Sequence, residues 1–128
     1  MQTARYDLAN RRPVWEALST LFLDTDVSDH RQWRAEMLAN SPYSLQTLEQ
    51  ILIDEVYPVC MANLLSVAGV WDGFDTEWQE HQILRHLKSR WSLFRRLKFG
   101  RRFATKDQEW QATKTAIAKV REQSHNRI

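Results

Sequence analysis

Four kinds of side chain could do chemistry in this chain: histidines, one cysteine, an adjacent carboxylate pair and runs of like charge. His30, His81, His86 and His125 fall into no zinc pattern. His81 and His86 are five apart and so face different sides of a helix, and there is no HExxH. Closed zinc sites need about four ligands, so neither a metal nor a cofactor is expected. Cys60 lies between Val59 and Met61 in an apolar run. A thiolate nucleophile needs an electropositive, accessible setting, and the residues on either side point instead to an inert buried thiol. Asp72-Gly73-Phe74-Asp75 lacks the alternating ligands and closing glutamate of a calcium loop. It reads better as a turn followed by a helix cap.

The pair Asp54-Glu55 interrupts the most apolar stretch, Ile51–Trp71. A desolvated carboxylate has a raised pKa and can serve as a general acid. An enzyme built on this pair and a nearby histidine is therefore one reading. The favoured one is structural: the pair flanks Pro58 and satisfies nearby backbone groups or an arginine. No catalytic residue is assigned.

Charge is the most informative surface feature. The net value of +2 hides −8 over residues 1–80 and +10 over residues 81–128. From His81 to Lys106 there are nine Lys or Arg and no acidic residue, with Trp91, Phe94, Phe99 and Phe103 interleaved. Basic residues among aromatics can hold phosphates and stack bases, which makes Arg85, Lys88, Arg95, Arg96, Arg101 and Arg102 candidates for a nucleic-acid or partner surface. The plainer reading is a basic C-terminal half covering an acidic N-terminal half, with the aromatics in the core. On the acidic side, Asp24, Asp26 and Asp29 crowd one helix connection, with Asp72 further on. Such a cluster can steer a basic protein partner to its docking site.

The elements that must position these groups are helical. At 128 residues, with 43% apolar and 27% charged composition, the chain fits one globular domain. Three Gly and three Pro are too few for a turn-rich β-fold. Pro13 suits the first turn of a helix whose stripe is Val14, Leu18, Leu21 and Phe22. Ser28 or Asp29 can cap a second helix with Trp33, Met37 and Leu38 inward. Ser44 can cap a third, with Leu45, Leu48, Leu52 and Val56 as its stripe. Pro58 should stop or kink that helix near Tyr57, and a new helix then reaches Gly69. A long amphipathic helix follows, ended by Gly100. Thr105 to Gln108 reads as a capping box for a last helix with Trp110, Thr113, Ile117 and Val120 on one stripe. The fold class is all-α: a compact single-domain bundle of six to seven helices around a Pro-broken central helix, with 1–10 and 123–128 frayed.

The N-terminus has no apolar signal segment, and the central run, cut by Asp54, Glu55, Pro58 and Asn63, falls short of a membrane span. The cytoplasm is the simplest location.

Three stretches in order carry a family resemblance. They are Arg12-Pro13-Val14-Trp15 through Thr25; Tyr43-Ser44-Leu45 through Glu49; and Glu55-Val56-Tyr57-Pro58-Val59 leading through Asn63–Gly69 to Trp71–Trp78. Together they resemble a family of small bacterial proteins that carries only an unknown-function label. The resemblance spans roughly Arg11 to Trp78 and weakens over the basic third. It implies a stand-alone accessory protein and brings no established activity or catalytic residues. The leading expectation is a non-enzymatic immunity protein that occludes a cognate toxin or effector. The alternative is a nucleic-acid-binding accessory protein.

Overall fold

The computed structural model of the chain describes residues 7–22, 27–60, 80, 81, 83, 84 and 100–126. Among these residues every regular element is helical. Among the described residues five α-helices are delimited: α1 (Leu8–Ser19), α2 (Arg31–Ala39), α3 (Leu45–Ile51), α4 (Arg101–Lys106) and α5 (Gln108–Asn126); the remaining helices of the six to seven expected would fall outside these residues. Short 3-10 turns at Thr20–Phe22 and Val27–His30 join α1 to α2. No helix among the described residues is long and apolar enough to cross a membrane.

Helix α1 begins at Leu8, five residues before Pro13, so the proline lies inside the helix rather than in its first turn. The helix absorbs the lost hydrogen bond because Val14, Trp15, Ala17 and Leu18 are all fully buried just beyond it. Helix α5 also runs further than expected, to Asn126.

Helix α3 starts as the sequence indicates. The Ser44 hydroxyl accepts from the Thr47 N–H at 3.1 Å, and Leu48, Leu52 and Val56 are fully buried. The expected break at Pro58 is absent. Residues 52–56 widen into a π-turn, with Tyr57 N–H donating to Leu52 O, and residues 57–60 continue as helix. A proline lacks the N–H and crowds the carbonyl four residues back. A π-turn one step earlier shifts that carbonyl out of register and lets the helix pass.

Gly100 was expected to end a helix. It instead has helical backbone (φ −64°, ψ −41°) and leads into α4. A Cβ at this position would stand 2.8 Å from Ile53 Cγ2 and 3.0 Å from Ile53 O. Glycine is thus needed for close approach to the π-turn, and any side chain must displace Ile53.

The core joins Trp15, Leu18, Leu38, Leu48, Ile51, Val56, Trp110 and Ile117 across all the longer helices. Helix α5 lies along α2, while α4 packs on the π-turn. Phe22, Tyr57 and Phe103 close one end as an aromatic cluster, with centroids 5.0 to 6.2 Å apart. The N-cap of α5 is Asp107, whose Oδ2 accepts from Trp110 N–H at 2.8 Å. Thr105, the expected cap, bonds back to Arg101 O within α4.

Candidate functional site

The carboxylate pair divides into two roles. Glu55 is buried and its carboxylate is fully engaged. Arg11 Nε and Nη2 donate to its two oxygens at 3.2 and 3.1 Å, and Trp15 Nε1–H donates to Oε1 at 2.8 Å. Arg11, itself 1% exposed, also donates to the Tyr43 hydroxyl, which donates to Asp7. Burial raises the Glu55 carboxyl above its ordinary value, against the pull of Arg11 and Trp15. The Tyr43 hydroxyl, with Asn10 and Arg11, holds Asp7 below its ordinary value. Both oxygens of Glu55 are thus held by donors of the chain's own interior. Asp54 accepts from Gln50 through Oδ2, and its Oδ1 is buried without a hydrogen-bond partner. The network unites Trp15, Tyr43 and Glu55, one residue from each of the three stretches that carry the family resemblance. Those stretches are therefore tied together by a buried polar brace.

Cys60 is fully buried, and desolvation pushes its thiol well above the ordinary value. It is an inert thiol of the interior, as its neighbours indicate. Among the described residues no group of three or more His, Cys, Asp or Glu could hold a metal ion.

A second buried cation was not anticipated. Arg34 is 0% exposed. It donates to Thr20 Oγ1 at 2.7 Å, Thr113 Oγ1 at 3.0 Å and Glu109 Oε2 at 3.2 Å. Arg31 grips the same carboxylate with two bonds of 2.7 and 2.9 Å. Burial lowers Arg34 from its ordinary value, opposed by Glu109. The Arg31 hydrogen bond, with the positive charge of both arginines, holds Glu109 below its ordinary value despite burial. Glu49 is likewise lowered: burial alone would raise it, but Trp110 Nε1–H and Lys114 outweigh that.

The sign of the pH dependence follows. A carboxylate whose folded pKa lies below its unfolded value of about 4.3 adds stability above that pH, and loses it as pH falls through the folded value. Glu109 and Glu49 act in this sense, and Glu55, raised, acts against them. Glu109→Gln should therefore be less stable at neutral pH and lose less stability between about pH 5 and pH 3 than the parent. Urea midpoints measured across that range test this, and parallel curves would refute it.

Arg121 is a further residue the sequence reading missed. Its guanidinium donates to four carbonyls, of Leu38, Ala39, Ser41 and Tyr43, at 2.6 to 3.4 Å. These include the last carbonyls of α2, which have no partner within the helix. Arg121 thereby ties α5 to the connection between α2 and α3.

Among the surface candidates, Asp29 is exposed in the turn before α2, and Arg101 and Arg102 are exposed on α4. Asp24, Asp26, Asp72, Arg85, Lys88, Arg95 and Arg96 lie outside the described residues. Phe103, expected among the aromatics of the basic segment, stacks on Phe22 and Tyr57 inside the fold. Trp33, expected inward, is instead 41% exposed, the one exposed large hydrophobic residue among those described. Helix phase explains the exchange: α2 buries Arg34, Ala35 and Leu38, and Trp33, one position before Arg34, falls outside that face. An inward Arg34 gave no hydrophobic signal to mark the phase.

The expected covering of the acidic half by the basic half concerns residues that lie largely outside the described ones. The four described cations in residues 1–80 are all in ion pairs: Arg11 with Glu55, Arg12 with Glu80, and Arg31 and Arg34 with Glu109. Among the described residues, only Lys114–Glu49 joins a basic group of the second half to an acidic group of the first.

Comparison with curated proteins and with solved structures gives no match. A family match covers residues 9–123 and so takes in the basic third as well as the stretches from Arg11 to Trp78. The chain belongs to the family described as domain of unknown function DUF7079.

Proposed function

We propose that this protein is a binding protein of the immunity type, which neutralises a cognate bacterial toxin in the cytoplasm by covering its active site. The observation behind this reading is the fate of the charges. The cations Arg11, Arg12, Arg31 and Arg34 are drawn into ion pairs with glutamates of the same chain. Glu16, Asp29 and Glu36 stay exposed. Among the described residues of the N-terminal half, exposed carboxylates are left uncompensated by these cations, two of which, Arg11 and Arg34, are buried in the fold. Exposed carboxylates of this kind accelerate association with a basic partner and reject acidic ones. Occlusion needs no catalytic group on the inhibitor, in keeping with Glu55 and Cys60 serving the interior.

The alternative, nucleic-acid binding, draws on Arg101 and Arg102. The inward stacking of Phe103 removes one of the aromatics that would hold bases, so the protein-binding reading is preferred. The test is co-expression with the product of each adjacent gene that is toxic when expressed alone. Protection together with a purified one-to-one complex is the expected result. Absence of protection by every pairing, with salt-dependent binding to DNA or RNA instead, would replace this reading with the alternative.

A further inference from the structure

Trp33 stands exposed on the outer side of α2, beside exposed carboxylates. Trp33 and Glu36 are three residues apart on α2, the spacing that puts side chains on one side of a helix, and Asp29 lies in the 3-10 turn that leads into it. All three are exposed. The opposite side of α2, with Arg34, Ala35 and Leu38, is buried. Arg31, the neighbouring cation, donates two hydrogen bonds to Glu109, a carboxylate it shares with the buried Arg34. Gln32 donates to Glu36 at 3.0 Å and leaves its negative charge in place.

We propose that Trp33 and Glu36 of α2, with Asp29 of the turn before it, form the anchor for a cationic protein surface, with a partner arginine stacked on the Trp33 indole and flanking cations paired to Asp29 and Glu36. This rests on the protein-binding reading above and names the partner's chemistry. Tryptophan is enriched among the residues that dominate interface energies, set inside a rim that excludes water. An acidic rim selects for positive charge. An arginine suits the indole face better than a lysine, because its planar guanidinium stacks while donating to carboxylates at its edge. The same two carboxylates repel phosphate, so this face does not fit nucleic acid.

The probe is an arginine–glycine repeat peptide, with lysine–glycine and glutamate–glycine repeats as comparisons, added to the full chain at low salt. The indole N–H resonance of Trp33 is identified by its loss in Trp33→Ala. It should shift with the arginine peptide, less with the lysine peptide and not with the glutamate peptide. Trp33→Ala should weaken binding about tenfold, Asp29→Asn with Glu36→Gln should weaken it and flatten its salt dependence, and Lys119→Gln should leave it unchanged. An unmoved indole resonance, or unaltered affinity in Trp33→Ala, would overturn the proposal. So would a resonance that moves with protein concentration alone, because the face would then be covered by a second copy. The co-expression assay separates the two levels. If Trp33→Ala protects as well as the parent, the docking face is wrong and the inhibitor reading stands; if the parent itself gives no protection, the inhibitor reading fails.

Discussion

Arg11→Ala is expected to cost about 3–5 kcal/mol of folding stability, the range for removing one partner of a buried ion pair. The carboxylate of Glu55 would be left in the interior with only Trp15 as donor, and burial already raises it. Tyr43 would lose the guanidinium that donates to it. The diagnostic comparison is Arg11→Met with Glu55→Gln. This pair keeps the volume, keeps an acceptor for Trp15 Nε1–H and removes both charges. It should recover more than half of the loss, because two desolvated charges are costly to hold even when paired. Thermal and urea unfolding of the two single variants and the double variant give the coupling directly. If the double variant is as unstable as the sum of the singles, Arg11 and Glu55 do not act as a pair. The result also bears on function. Should the brace be structural, the double variant keeps partner binding; a loss of binding with stability intact would return Glu55 to the list of functional residues.

Arg34→Ala and Arg31→Ala should differ severalfold, although both arginines grip Glu109. Arg34 is completely buried, and truncating a long interior side chain costs about 2–5 kcal/mol through lost contacts and the cavity left behind. Arg31 is 43% exposed, and an ion pair with that much solvent access is worth about 0–1 kcal/mol. Arg34→Lys should recover little, since one ammonium cannot reproduce a guanidinium fork that reaches Thr20, Thr113 and Glu109 together. Denaturant titration of the three variants decides the matter. Equal losses for Arg31→Ala and Arg34→Ala would mean that the shared carboxylate, and not burial, sets the energy. Because Arg34 joins α2 to α5 and to the 3-10 turn after α1 through those partners, its loss should also reduce amide protection in α5.

These expectations concern residues whose importance was invisible in one dimension. The sequence determined what depends on neighbours along the chain. Ser44 before Leu45 marked a helix start because its hydroxyl meets an N–H three residues away. Leu48, Leu52 and Val56 marked a buried stripe because helical spacing brings them to one side. Cys60, flanked by apolar residues, was legible as inert. The all-helical class followed from the same local patterns together with the scarcity of Gly and Pro.

Only the tertiary structure decided what those patterns enclose. Periodicity treats an arginine as an outward residue, yet Arg11 and Arg34 face inward because Glu55 and Glu109, 44 and 75 residues away, supply the compensation. That exchange also turned Trp33 outward. Pro58 predicted a break from local sterics alone, and a π-turn with Gly100 packed against Ile53 carries the helix through it. The charge totals of the two halves were legible from composition. Their use was not: an ion pair is a contact in space, and its partner is chosen by packing rather than by distance along the chain.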